Sequence, residues 1–341
     1  MEERSHKSRI RMRKKRRRKR LAIFLLLSAF MIFATAGLGL LWMWQQTTGL
    51  MGDTFERIER SNNPNGQEEG SIADDNVSVL FLGVDNRDGE VSGISDAMIL
   101  TTFNQEEQSV KMLSIPRDSY VDIPERPGHE KINHAHAYGG HNLAIETVEN
   151  FLDVPIDYYV TVNFQAFIDI VDTFGGIDID SDISFSEQDA DGNHDQIYIE
   201  QGEQTLSGEE ALAYARHRQT DGVLARGERH TEVMVALIQE AASISNIGNY
   251  NQVFDNLQNN MRHNFESFQQ LTAFHSYASS LDELERFQLE GEPTRIEGSE
   301  YIVVDDQSIA HASNMLRRHL DLDYDPSAIQ DHAAPSEDEQ T

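Results

Sequence analysis

The chain has 341 residues and no cysteine, with 58 acidic side chains against 28 basic ones and a formal net charge of −30. That length supports one large or two small domains with a full core, and the lack of cysteine excludes disulfide stapling and thiolate metal sites. So negative a surface argues against nonspecific association with nucleic acid.

The charge is divided very unevenly. Residues 1–20, MEERSHKSRIRMRKKRRRKR, carry 12 of the basic side chains, and the remainder holds 16 basic against 56 acidic residues. Residues 21–44, LAIFLLLSAFMIFATAGLGLLWMW, contain no charge and match the roughly 20 residues a transmembrane helix needs. Cations before the span keep that end in the cytoplasm, and Trp42 and Trp44 suit the outer interface. A single-pass cell-membrane protein with an extracytoplasmic C-terminal portion is expected. Ala34-Thr35-Ala36 resembles a signal-peptide cleavage site, but the apolar run continues past it to Trp44, which favours a retained anchor. The basic block abuts the span directly, which favours a topogenic role with contact to anionic membrane lipids over a nucleic-acid patch.

Residues 45–76 lack periodicity and read as a stalk. The folded domain is expected over 77–320. It opens with VSVLFLGV (77–84), a β-branched apolar run typical of a buried strand. AMILTTF (97–103) and SVKMLSI (109–115) read as two more strands, joined as a hairpin through residues 104–107. HNLAIETVENFL (141–152) has amphipathic helical spacing, IDYYVTV (156–162) reads as extended and FQAFIDIVDTF (164–174) as a helix closed by Gly175-Gly176. IDID (177–180) is extended, and residues 181–200 read as a long loop with one short strand, QIYIE. Ser207 and Glu210 form an S-x-x-E capping box that starts a helix through Ala211, Leu212 and Ala215. A longer helix is expected from about Arg226, with Val233, Leu237, Ala241 and Ile244 on one face. Residues 250–282 read as helical, 302–304 as a strand and 307–320 as the last helix, followed by an acidic disordered tail over 321–341. Mixed strands and helices in one domain give the class α/β (α+β).

Candidate chemistry starts with two aspartates. Asp85 follows a buried strand, at the end where open α/β sheets tend to bind ligands, and Asp96 lies just before the next strand begins. Such a pair suits Mg²⁺, which takes one or two carboxylates and completes its shell with water and phosphate oxygens. The plainer reading is that both residues terminate strands or cap turns. Arg117, in SIPRDS, offers a permanently charged fork matched to phosphate, or an ion pair with Asp118 or another acid. Lys131 adds a cation near Gly139-Gly140. Histidines 129, 134, 136 and 141 cluster in sequence without a zinc-ligand pattern such as HExxH. YARHRQTDGVLARGERH (214–230) then contributes Arg216, Arg218, Arg226 and Arg229 with His230. Cations at a helix start are unfavourable unless an anion compensates. Arg87, Arg117, Lys131, Arg216, Arg218, Arg226 and Arg229 are seven of the 16 basic residues outside the N-terminal block. Gathering scarce cations near two aspartates points to a multiply charged ligand such as a metal-bridged diphosphate.

The ordered blocks FLGVDNR, SDAMILTTFN, SIPRDS, KINHAHAYGG, TVENFLDVPIDYYVTVNF, VDTFGGIDI, LSGEEALAYARHR and ARGERH, over roughly residues 77–245, closely resemble the LytR-CpsA-Psr family of membrane-anchored cell-wall enzymes. The resemblance implies one extracytoplasmic domain with a mixed central β-sheet flanked by helices, preceded by one transmembrane helix. It further implies a phosphotransferase moving an anionic glycopolymer, such as wall teichoic acid, from undecaprenyl diphosphate to a muramic acid hydroxyl of peptidoglycan. By that resemblance Asp85 and Asp96 hold Mg²⁺ or Mn²⁺, Arg117 and Asp96 are catalytic, and Arg87, Arg117, Lys131, Arg216, Arg218, Arg226 and His230 face the diphosphate. Either Asp96 or a substrate phosphate takes the acceptor's proton. Ile94, Ala97 and His230 depart from the family's usual arginine, threonine and glutamine, and His230 adds a group expected to titrate near pH 7. A non-catalytic regulator and a metal-dependent lipid diphosphate hydrolase are the competing functions.

Overall fold

The protein was analysed as a computed structural model that describes residues 54–59, 75–86, 91–190, 192–217, 222–243, 260–266, 270, 274, 277 and 284–330. The basic block, the apolar span 21–44, Arg87 and Arg218 lie outside the described residues. Among the described residues no helix is long and apolar enough to cross a membrane.

The central sheet grows from the strand with the most uniformly apolar sequence. β1 (Val77–Val84) pairs antiparallel with β2 (Ser95–Asn104) on one side and parallel with β6 (Tyr158–Asn163) on the other. β3 (Ser109–Ser114) extends the β2 side. The short strands β11 (Met261–His263) and β12 (Glu285–Gln288) close the edges, giving the order β11-β6-β1-β2-β3-β12. Alternation along β1 explains why a near-continuous hydrophobic run is needed. Leu80 and Leu82, with Met98, Leu100 and Leu113, face one layer, formed by α1 (His134–Leu152) and α5 (Asp306–His319). Val77 and Val79, with Phe103, Val110 and Tyr158, face Phe265, Phe274 and Tyr277 on the other side.

A smaller core lies beside the sheet. It joins α2 (Phe164–Phe174), the β7–β10 pair (Ile177–Ser181 with Gly202–Leu206), the β8–β9 hairpin (Phe185–Glu187 with Ile197–Ile199), α3 (Gly208–Arg216) and α4 (Gly222–Ser243). The capping box at Ser207 and Glu210 forms as expected. A Cβ on Gly208 would come within 2.4 Å of the Ile168 carbonyl oxygen, so glycine lets α3 press against α2. β4 (Tyr120–Asp122) and β5 (His129–Lys131) form one further hairpin, and β13 (Gly291–Ile296) and β14 (Ser299–Val304) another.

Several expectations need correction. The helix expected over 141–152 is present as the part of α1 after a kink at Gly139-Gly140, where Gly140 takes a positive φ of 65°, and what was not expected is the short helical segment from His134 before it. The 181–200 loop contains the β8–β9 hairpin, stabilised by Phe185 and Ile199 in the small core. Within 250–282, residues 261–263 are an edge strand, not helix. The stalk is not structureless: Phe55 bridges to His263, and the Tyr159 hydroxyl donates to the Glu56 carbonyl at 2.9 Å. Nor does disorder begin at 321. Residues 321–330 pack on α5 through bonds such as Arg317 Nε to the Asp323 carbonyl and end in α6 (Ser327–Gln330).

Candidate active site

β1 and β3 end, and β2 begins, at the same edge of the sheet, so the topology alone brings Asp85, Asp96 and Arg117 to one end. Gly83 lies opposite Ala97 but Val84 lies opposite Ser95, which makes Asp96 the extra residue of a β-bulge. Bulges beside active sites re-aim a side chain out of the pleat. The ladder's last bond runs from the Asp85 N–H to the Ile94 carbonyl at 3.2 Å, so the two aspartates flank the final rung. The loop before Asp96 is tied down by His136, which is buried and whose Nδ1–H donates to the Gly93 carbonyl at 2.9 Å. Burial lowers the His136 pKa, against the pull of that carbonyl, which keeps the ring neutral.

The other side chains converge on the same edge. The turn Pro116–Ser119 is fixed by Ser119 N–H and Oγ donating to the Pro116 carbonyl and by Asn133 N–H donating to the Arg117 carbonyl. From it the Arg117 guanidinium reaches in two directions, Nη1 to Asp96 Oδ1 and Nε to within 3.4 Å of Asp118 Oδ2. Lys131, on β5, donates from Nζ to Asp118 Oδ1 at 2.8 Å. Arg226, one turn into α4, brings Nη2 to 3.8 Å from Asp118 Oδ2. Gly227 makes this approach possible, because a Cβ there would fall 2.8 Å from Gln288 Oε1 and 2.9 Å from Ser114 Oγ. The anion that makes a cation tolerable near the start of α4 is therefore Asp118.

The remaining arginines part company. Arg216, at the end of α3, lies over the ring of Phe164 at 4.7 Å, next to the end of β6. Arg229 turns inward, and its Nη2 donates to the His217 carbonyl at 2.9 Å. It thereby holds His217, the residue that closes α3, whose ring stacks on Phe185 at 3.8 Å and faces Glu187 at 3.3 Å. His230 donates to the Ala215 carbonyl. Burial and the Arg226 guanidinium push its pKa down to about 4, against the pull of Asp96 and that carbonyl. It is thus not the group titrating near pH 7 that its ordinary value led one to expect. The four clustered histidines serve separate contacts: His129 stacks on Tyr120, His134 faces Glu130, His136 holds Gly93 and His141 stacks on Tyr159.

The sequence offered Asp118 only as an ion-pair partner for Arg117; that pairing is present, and Lys131 and Arg226 join it from other elements. Burial raises the Asp118 pKa, but Lys131, Arg117 and Arg226 outweigh that and hold it below the usual carboxylate value. The residues present fit a hard divalent cation. Two carboxylates flank one rung, and the buried Oδ1 of Asn133, whose main chain bonds to both Ser95 and Arg117, has no hydrogen-bond partner.

Comparison with known proteins decides the family. Residues 42–318 match the LytR_cpsA_psr family. The chain belongs to that family. It is 35% identical over 280 residues to the polyisoprenyl-teichoic acid–peptidoglycan teichoic acid transferase TagU of Halalkalibacterium halodurans, covering 82% of this chain and 90% of the relative. It is 39% identical over 254 residues to the transferase TagT of Bacillus subtilis, covering 72% and 77%. Among solved structures, YwtF (TagT) with bound octaprenyl pyrophosphate lipid superposes with a TM-score of 0.59 at 33% identity, over 75% of this chain and 94% of that one. The mixed sheet flanked by helices is the family's fold.

Proposed function

We infer that this LytR_cpsA_psr protein is a phosphotransferase that moves an anionic glycopolymer from a polyprenyl diphosphate to peptidoglycan. The observation that carries the reading is the gathering of Arg117, Lys131 and Arg226 around Asp118, with Arg117 also reaching Asp96, at the sheet edge where β1 ends in Asp85. Its relatives named as teichoic acid transferases, and the neighbour that binds octaprenyl pyrophosphate, support it. An acceptor hydroxyl attacks the phosphorus that bears the polymer. The new O–P bond forms as the bond to the bridging oxygen breaks, and undecaprenyl phosphate leaves with the electron pair. The hydroxyl proton passes to Asp96 or to a substrate phosphate oxygen. Arg117, Lys131 and Arg226 orient the diphosphate and disperse charge developing on its oxygens, with Arg216, Arg87 and Arg218 as further candidates for that role. His230, neutral, contributes a hydrogen bond. Asp85 and Asp96 would hold Mg²⁺ or Mn²⁺, which supplies charge neutralisation on the diphosphate.

The apolar span 21–44 anchors the protein in the cell membrane with the catalytic domain outside, and the basic block rests on anionic lipid. Incubating labelled lipid-linked polymer with and without peptidoglycan oligomers tests the reading. Label must enter peptidoglycan; release of free polymer at the same rate without acceptor would make the protein a hydrolase instead.

A further inference from the structure

Three cations from three separate elements, the β3–β4 turn, strand β5 and helix α4, share one carboxylate. Nothing in the transfer chemistry requires that carboxylate, and a negative charge beside a diphosphate repels it. Its placement is nonetheless built with care. The Asp118 main-chain carbonyl accepts from Ile302 N–H at 2.8 Å, locking the turn to β14. The neighbouring Ser119 carbonyl accepts from Ile132 N–H at 2.9 Å, which fixes β5 and hence Lys131 against the same turn. Asp118 Oδ1 accepts a hydrogen bond from Lys131, while Oδ2 lies within ion-pair range of Arg226 at 3.8 Å and of the Nε edge of Arg117 at 3.4 Å, and the Nη1 end of that guanidinium is directed at Asp96. Without the carboxylate, three like charges would repel and their long side chains would lose a common reference point.

We propose that Asp118 is the positioning residue of this site, a fixed anion that holds Arg117, Lys131 and Arg226 in one arrangement around the diphosphate and itself touches no reacting atom. The proposal rests on the phosphotransferase reading above. It predicts a split between affinity and rate that a merely structural residue does not produce. Removing the charge while keeping the shape relieves repulsion of the diphosphate but loosens the cations that must track charge in the transition state.

The test is steady-state transfer by purified full-length Asp118→Asn, with lipid-linked polymer varied at saturating peptidoglycan oligomer. We expect kcat to fall about 10- to 100-fold, as is typical when a residue orienting the binding groups is lost, with KM unchanged or lower and the melting temperature unchanged. A kcat within about threefold of the parent overturns the proposal, as does a fall in kcat accompanied by a rise in KM and a lower melting temperature. Should the asparagine variant fail to fold, Asp118→Glu retains the charge and moves it by one methylene. Reduced kcat at parental KM supports positioning, and parental kcat refutes it. If the parent protein itself transfers nothing, the functional reading fails; if the parent transfers and Asp118→Asn keeps its rate, this inference alone fails.

Discussion

At position 230 an imidazole lies within the field of Asp96, Arg226 and Arg229, and burial leads the causes that bring its pKa to about 4. It is neutral at the pH of catalysis and acts as a hydrogen-bonding group, much as an amide would. His230→Gln is therefore expected to keep transfer within about threefold and to leave the pH–rate profile between about pH 6 and 8 unmoved. A displaced acidic limb would show that the imidazole titrates during turnover. Arg117 is different, because its guanidinium addresses Asp96 and Asp118 from two edges at once, which a point-charge ammonium cannot reproduce. Arg117→Lys should cost roughly 10²-fold in kcat/KM. Strand ends singled out Asp85, Asp96 and Arg117 as candidates and the scarcity of cations singled out Lys131 and Arg226; what the structure adds is which carboxylates these cations meet. Asp118 was legible only as a neighbour able to pair with Arg117, because spacing along the chain does not reveal that Lys131 and Arg226 meet it as well. Arg229 misled for the converse reason: it looks like its neighbours in sequence but serves the His217 carbonyl.

At the scale of elements, strands buried on both faces announced themselves. β1, β2 and β3 are predominantly apolar because each side of the sheet is covered. β12 and β13 escaped notice because both are largely exposed, and β11 because three residues give too short a pattern to separate from helix. Helix α4 shows how an element sets a site. A Cβ on Gly227 would fall 2.8 Å from Gln288 Oε1 and 2.9 Å from Ser114 Oγ, and the bulkier branched side chain of Gly227→Val, which those side-chain ends must clear, should lift the helix and withdraw Arg226 from Asp118. Transfer should fall at least about tenfold, with the far-UV spectrum retained; undiminished transfer would mean that Arg226 does not act from its observed position. Ser207→Ala, by contrast, removes half a capping box on α3 and should lower stability by about 1 kcal/mol in denaturant unfolding.

For the whole molecule, three histidines set the response to acid, His230 partly exposed and His263 and His319 buried. His230, His263 and His319 have folded-state pKa values of about 4, 4 and 3, all with burial as the largest cause, against an ordinary value of 6.5. The unfolded chain binds more protons in the window between those values, so stability drops as pH falls below about 6.5 and is indifferent to these groups above it. Melting temperatures recorded from about pH 7 to 4 should decline through that window. The segment 54–59 is the second global feature. Thr54 and Glu56 exchange main-chain hydrogen bonds with His263, Thr54 Oγ1 meets the His263 ring at 2.9 Å, and Glu56 pairs with Arg262 at 2.9 Å. A chain beginning at Asn76 should be less stable by about 2–4 kcal/mol, from several bonds of about 1 kcal/mol each. An unchanged unfolding midpoint would show that the segment does not support the domain.

The most direct measurement is a single-turnover reaction of the purified protein with doubly labelled substrate, the label being placed on the polymer and on the polyprenyl chain, in the presence of peptidoglycan oligomers. The account predicts polymer label in peptidoglycan and an equal amount of polyprenyl monophosphate, both abolished by Asp96→Asn and reduced at least about 10²-fold by Arg117→Ala. Parental yields from both variants, or polyprenyl monophosphate released with no label entering peptidoglycan, would contradict it.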